Sequence, residues 1–113
     1  MSFLTRTDEK KNVLIVEIPE RLNMANADDL RSAIKIAIEE GNYKIVLDML
    51  NTRYVDSTGL SAILSRISDL RSGDGDIRLA FQSDFIKELL SITNLDKILK
   101  FFDDVSTAVD SFS

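Results

Sequence analysis

The sequence contains no cysteine and no histidine among its 113 residues. Without cysteine, the chain has no disulfide, no thiolate nucleophile and no thiolate metal ligand. Without histidine, it has no Ser-His-Asp triad, no imidazole metal site and no phosphohistidine relay. Only carboxylate and carbonyl oxygens remain to hold a metal, which suits magnesium or calcium, and no suitable cluster of acidic residues stands in the sequence. We therefore expect neither a metal site nor a cofactor.

Basic residues are too few for two large classes of partner. There are 14 of them against 19 acidic residues, which gives a net charge of -5. This balance disfavours binding to nucleic acids and to anionic membranes, both of which select basic surfaces. The longest wholly apolar run, Val13–Val16, is far shorter than the roughly 20 residues of a membrane span, and the first residues lack the apolar stretch of a signal peptide. We expect a soluble, cytoplasmic protein.

The remaining composition is that of a globular protein. Apolar residues make up 44% of the chain and charged residues 29%, with one proline and four glycines. The length suits one domain over residues 1–113, and no linker, repeat or low-complexity tract divides it.

Apolar patterning predicts alternating strands and helices. The strand candidates are short and rich in apolar residues: Phe3–Thr7, Val13–Ile18, Tyr43–Leu50, Ile77–Phe81 and Ile98–Phe102. Four helices are predicted from apolar stripes at helical spacing: Leu30, Ala33, Ile34, Ala37 and Ile38; Leu60, Ile63, Leu64, Ile67 and Leu70; Phe85, Leu89, Leu90 and Ile92; and Val105, Ala108, Val109 and Phe112. Alternation of this kind predicts a single-domain α/β fold. Its sheet would have about five mostly parallel strands, with the first strand antiparallel at the edge.

Local residues predict several element boundaries. Asn26 is a candidate N-cap of the first helix, which Gly41 would end, and Ser83 is a candidate cap of the third. Asn94 suits a left-handed position after that third helix. Phe101 and Phe102 are adjacent, so one of them should face away from the main core and pack under the terminal helix or mark a dimer contact.

Binding sites of open α/β sheets lie where strands end and helices begin. Two such junctions stand out: Asn23–Asn26 before the first helix and Tyr54–Leu60 before the second. Met24 and Tyr54 are residue types that interfaces favour, although half-buried packing would explain them equally well.

The Tyr54–Leu60 junction has a particular composition. Asp56 can cap the helix, Ser57 and Thr58 place hydroxyls in its first turn, and Gly59 leaves room for another molecule's backbone. A phosphate on Ser57 would lie near the positive end of the helix dipole. Thr58 is a rival acceptor, but we expect its hydroxyl to bond to the backbone. No histidine or close lysine would activate either hydroxyl as a nucleophile.

Several segments in order resemble the STAS domain family, and more narrowly its stand-alone bacterial anti-sigma factor antagonists. Val46-Leu47-Asp48 followed by Tyr54–Leu60 resembles the family signature. The resemblance continues in Asn26-Ala27 with Leu30, in Gly75–Leu79 and in Leu89–Leu95, so it spans roughly Val13 to Val109.

This resemblance implies a switch controlled by phosphorylation. The serine after the aspartate, here Ser57, would be phosphorylated by an anti-sigma factor that is itself a serine kinase. The unphosphorylated protein would bind that kinase and free the sigma factor, and a separate serine phosphatase would reset the switch. We expect the protein to be a monomer or a weak dimer.

The chain departs from the family pattern at three positions. Asn23 replaces an acidic residue, which would weaken any role of that acid in orienting the phosphoacceptor or a nucleotide. Asn94 replaces a usual glycine, and Val55 stands where methionine is common.

Other functions remain open from the residues. A STAS subunit of a regulatory complex without phosphorylation, or a STAS domain that binds a nucleotide or other small ligand, would share the fold. An enzyme or nucleotide hydrolase would need a phosphate-binding or nucleophile motif that the chain lacks. A receiver phosphorylated on aspartate would need an acidic pair after the first parallel strand, where Pro19-Glu20-Arg21 supplies one acid.

Overall fold

The central sheet forms from the segments in which apolar β-branched residues are densest. In the computed structural model, which describes residues 3–112, its strands are β1 (Thr5–Asp8), β2 (Val13–Glu17), β4 (Lys44–Asp48), β6 (Asp76–Ala80) and β7 (Phe101–Phe102). They lie in the order β1-β2-β4-β6-β7. β1 is antiparallel to β2, and every other neighbouring pair is parallel. This arrangement confirms the predicted α/β class with an antiparallel edge strand.

Helices connect the parallel strands, and one more follows the last strand. They are α1 (Ala27–Glu39), α2 (Ser57–Leu64), α3 (Ile67–Ser72), α4 (Asp84–Ile92) and α5 (Val105–Asp110), with a 3-10 turn at Leu95–Lys97. A second, two-stranded parallel sheet is made by β3 (Arg21–Leu22) and β5 (Tyr54–Val55). This small sheet was not predicted, because two residues per strand are too few to show a period.

Both faces of the central sheet are covered, which explains why its middle strands are continuously apolar. On β4, Ile45 and Leu47 join the large core beneath α1, α2 and α4, whereas Val46 joins a smaller core beneath α5. The adjacent phenylalanines of β7 divide in the same way. Phe101 stacks on Phe81 with ring centroids 5.2 Å apart, and Phe102 packs with the α5 side chains, as one interpretation of the sequence predicted.

The predicted second helix is wrong as one continuous element. α2 ends at Leu64 and α3 begins at Ile67, although the apolar stripe runs through both. The Ser65 hydroxyl donates to the Ala62 carbonyl (2.7 Å), and Arg66 leaves helical geometry with ψ of 21°. A serine hydroxyl that bonds to the preceding turn competes with the backbone hydrogen bonds of a helix.

Several boundaries also differ from the predictions. The first strand is Thr5–Asp8 rather than Phe3–Thr7, and most of the predicted strand Ile98–Phe102 is irregular before β7. The turn residues behave as expected. Asn94 has a φ of 60° and Gly41 a φ of 83°, both left-handed, and Ser83 caps α4 by accepting from the Ile86 N–H (3.3 Å).

A buried carboxylate fixes the start of β6. Asp76 is 4% exposed, and its two oxygens accept from Arg71 Nε and Arg78 Nε, each at 3.0 Å. Arg78 also donates to the Ser111 carbonyl (2.8 Å) and lies 4.1 Å from the centre of the Phe112 ring. One ion cluster therefore attaches the C-terminal segment to the sheet.

We expect Asp76→Ala to lower the free energy of unfolding by about 3 kcal/mol, because it leaves the Arg78 guanidinium mostly buried without its counter-ion. Urea unfolding followed by circular dichroism measures this loss. Asp69→Ala is the matched control, since it removes an exposed ion pair with Arg66 and should cost less than about 1 kcal/mol. Equal losses in the two variants would show that the Asp76 cluster adds no more than a surface ion pair.

Candidate functional site

The small sheet brings the two predicted junctions together. β3 and β5 are parallel, with Arg21 opposite Tyr54 and Leu22 opposite Val55. Because parallel strands end on the same side, the loop that follows Leu22 and the helix start that follows Val55 lie side by side. The buried Thr52 hydroxyl supports this arrangement by donating to the Pro19 carbonyl (2.9 Å), which joins the segments leading into the two strands.

Asp56 caps α2, as predicted, and also holds the neighbouring loop. Its Oδ1 accepts from the Gly59 N–H (2.8 Å), which is the usual capping bond of a helix start. Its Oδ2 accepts from the Met24 N–H (3.2 Å). A single carboxylate thus fixes Met24 and the first turn of α2 relative to each other.

Gly59 is required by the chain's own packing, so the expectation that it leaves room for another molecule is wrong. A Cβ at this position would lie 2.7 Å from the Leu22 carbonyl oxygen and 3.0 Å from a Val55 methyl carbon. Gly59 is buried at the contact between α2 and the small sheet. It lets the helix start approach the backbone of β3.

We expect Gly59→Ala to destabilise the protein by about 1–3 kcal/mol and to displace the first turn of α2, because the added methyl group overlaps backbone. Thermal unfolding measures the stability loss, and the amide signals of Met24 and Ser57 in a nuclear magnetic resonance spectrum report the displacement. The control is Ser61→Ala, at an exposed position of the same helix. Unchanged amide signals in Gly59→Ala would contradict the close packing.

Ser57 occupies the first position of α2 and is exposed, whereas Thr58 is half-buried. Within residues 3–112, neither hydroxyl forms a hydrogen bond, so the backbone bond expected for Thr58 is not present. Asp56 satisfies the N–H groups of Gly59 and Leu60, and those of Ser57 and Thr58 have no partner in the same range. A phosphate on Ser57 would therefore stand at a helix start that retains two free donors.

Asn26 is the N-cap residue of α1, as predicted, although its side chain makes no capping hydrogen bond within residues 3–112. Its Oδ1 accepts from the Asn23 N–H (3.0 Å), and its Nδ2 donates to the Arg21 carbonyl (2.8 Å). Asn23 in turn accepts from the Ala25 N–H (3.0 Å). Both side chains shape the loop before α1, because their oxygens accept from the loop's own backbone N–H groups.

Exposed apolar side chains flank the Ser57 position. Met24 is 77% exposed and Tyr54 is 41% exposed. Tyr54 stacks on Phe85 of α4 with centroids 6.0 Å apart, and the Arg21 guanidinium carbon lies 5.8 Å from the Tyr54 ring centre. Neither Phe85 nor Arg21 was predicted to lie at this site. Phe85 was assigned to the helix stripe, and the pairing of Arg21 with Tyr54 depends on the small sheet.

Two other kinds of site are absent from residues 3–112. No helix in that range has the length and apolar character needed to cross a membrane. The same residues contain no group of three acidic side chains placed to bind a metal ion.

Comparison with known proteins identifies the family. A STAS domain model matches residues 5–108. A Thermotoga neapolitana protein, provisionally named an anti-sigma factor antagonist, is 29% identical over 88% of this chain and 89% of its own. The anti-sigma F factor antagonist of Paenibacillus polymyxa is 26% identical over 96% of this chain and 94% of its own. The crystal structure of a Thermotoga maritima protein with the same provisional name superposes with a TM-score of 0.85, at 27% identity over 97% of this chain and 93% of that one.

Proposed function

Because the chain belongs to the STAS domain family, we propose that it is an anti-sigma factor antagonist whose partner binding is controlled by phosphorylation of Ser57. The unphosphorylated protein binds an anti-sigma factor that is a serine kinase, which releases the sigma factor. Phosphorylation by that kinase ends the binding, and a serine phosphatase restores it. The names of the Thermotoga and Paenibacillus relatives support the antagonist role.

The observation that carries this proposal is the exposed Ser57 at a capped helix start. Its hydroxyl makes no bond within residues 3–112, so a kinase can reach it without unfolding the chain. The same helix start offers the N–H groups of Ser57 and Thr58 to the product phosphate. Phosphorylation therefore needs no rearrangement of the domain.

Binding rather than catalysis is the role that these side chains support. Asp56 is the carboxylate next to Ser57, and its oxygens are occupied by the Gly59 and Met24 N–H groups. It is a positioning group, and a nucleophilic serine would need a base to accept its proton. We infer that the kinase supplies the catalytic groups and that this chain is its substrate. We place the exchange in the cytoplasm, where sigma factors act.

The test uses the purified protein, ATP and the anti-sigma factor kinases of the source organism, each expressed separately. We expect one kinase to bind the wild-type protein and to add a mass of about 80 Da at Ser57, the mass of one phosphoryl group. Ser57→Ala should bind that kinase and gain no mass. Phosphate on Thr58 instead, or no kinase that binds or modifies the wild-type protein, would refute the proposal.

A further inference from the structure

An exposed apolar ridge leads away from Ser57 along α4. It consists of Tyr54, Phe85 and Ile92, with Arg21 beside Tyr54. Phe85 is 46% exposed and Ile92 is 71% exposed. The two lie seven residues apart on one helix, which is nearly two turns, so they share a face about 10 Å apart. The half-buried Leu89 lies between them and attaches this face to the core.

We propose that this ridge is the specificity surface for the anti-sigma factor kinase, an inference that rests on the proposed function. The ridge is continuous with the Ser57 site, because Tyr54 precedes Ser57 by three residues and stacks directly on Phe85. Large apolar side chains exposed side by side are typical of interaction surfaces, and arginine and tyrosine are enriched where binding energy concentrates. Transfer of a phosphoryl group to the Ser57 hydroxyl does not by itself require a surface two helical turns away.

The charge of Arg21 indicates the chemistry of the kinase surface that would bind the ridge. Arg21 is exposed and forms no ion pair within residues 3–112, while its guanidinium lies beside the Tyr54 ring. A guanidinium held beside a ring leaves its donors to bind a carboxylate in a fork-like geometry. The kinase surface that fits the ridge is therefore apolar, with an acidic residue opposite Arg21.

A second copy of this chain is a poorer occupant. A twofold interface centred on the ridge would set the Arg21 end of one copy against the Ile92 end of the other, so each Arg21 would meet an apolar side chain and not a carboxylate. The two chains would also each carry a net charge of -5. Like charges on that scale oppose association in water.

The experiment measures affinity for the kinase that modifies Ser57, by calorimetric titration of Phe85→Ser, Ile92→Ser and Arg21→Glu. We expect each variant to bind at least about tenfold more weakly than the wild-type protein, the usual effect of truncating an anchoring residue. The matched control is Ile36→Ser, because Ile36 is an isoleucine 52% exposed on α1, outside the ridge. It should bind as the wild-type protein does. Circular dichroism establishes that each variant is folded.

The titration separates failure of the ridge from failure of the function. Wild-type affinity in all three ridge variants, together with lost binding in Ser57→Asp, would refute the ridge and leave the proposed function standing. If the wild-type protein binds no kinase, both proposals fail together. Sedimentation velocity adds a third outcome. A wild-type dimer that Phe85→Ser dissociates would identify the ridge as a self-association surface and refute the inference.

Discussion

Replacing Ser57 with aspartate is expected to weaken binding to the proposed anti-sigma factor kinase more than a hundredfold. The substituted carboxylate places a permanent charge where the partner surface must exclude water. A loss of roughly 3 kcal/mol in binding free energy corresponds to that factor. Aspartate at the first position of α2 suits the helix dipole, so the variant should remain folded.

Ser57→Ala should bind with the affinity of the unphosphorylated protein, because it removes only the hydroxyl oxygen. Ser68→Asp is the matched control for added charge, since Ser68 is an exposed serine in the next helix. Calorimetric titration of the kinase with the four proteins gives the comparison. Equal weakening by Ser57→Asp and Ser68→Asp would mean that net charge, and not the position of Ser57, controls binding.

Gly75→Ala is expected to be the most destabilising single change among the glycines. A Cβ at residue 75 would lie 1.7 Å from the Tyr43 carbonyl oxygen and 2.4 Å from the carbonyl carbon. That same oxygen accepts from the Asp76 N–H (3.0 Å), where β4 and β6 begin to pair. Neither backbone can move without separating the two central strands. We expect a loss of about 3 kcal/mol or more, beyond the usual cost of overpacking.

Gly41→Ala separates this steric effect from backbone strain. Gly41 has a φ of 83°, and a Cβ there would meet no atom of residues 3–112 within 4 Å. Its cost is therefore only that of a left-handed alanine, about 1 kcal/mol. Urea unfolding of both variants measures the difference. If Gly75→Ala is no less stable than Gly41→Ala, the contact with Tyr43 relaxes more easily than the geometry indicates.

Long apolar patterns predicted the fold well because burial determines them directly. The run Ile45–Leu47 indicated a strand covered on both faces, and its side chains are divided between the two cores. The split between α2 and α3 was not predictable from the helical spacing of apolar residues, because the apolar stripe continues on both sides of Ser65 and Arg66. A local bond from the Ser65 hydroxyl to the Ala62 carbonyl lies at that break and competes with the helix.

The candidate site was predictable where it depends on neighbours in sequence. Asp56 caps its own helix, so the order of residues was sufficient to predict that contact. Its second bond joins it to Met24, 32 residues earlier, and depends on the pairing of β3 with β5. The stack of Tyr54 on Phe85 likewise required the tertiary arrangement. Contacts between distant segments cannot be predicted from the order of residues when those segments have no repeating pattern.

The two bonds accepted by Asp56 also make Met24 a natural spectroscopic reporter. Its amide proton points at a carboxylate that immediately precedes Ser57, yet Met24 is distant in sequence. A phosphate added to Ser57 would change the electric field at that carboxylate and hence the chemical shift of the Met24 amide. The amide signal of Met24, one of the three methionines, could then follow the proposed kinase and phosphatase in real time, in the unaltered protein.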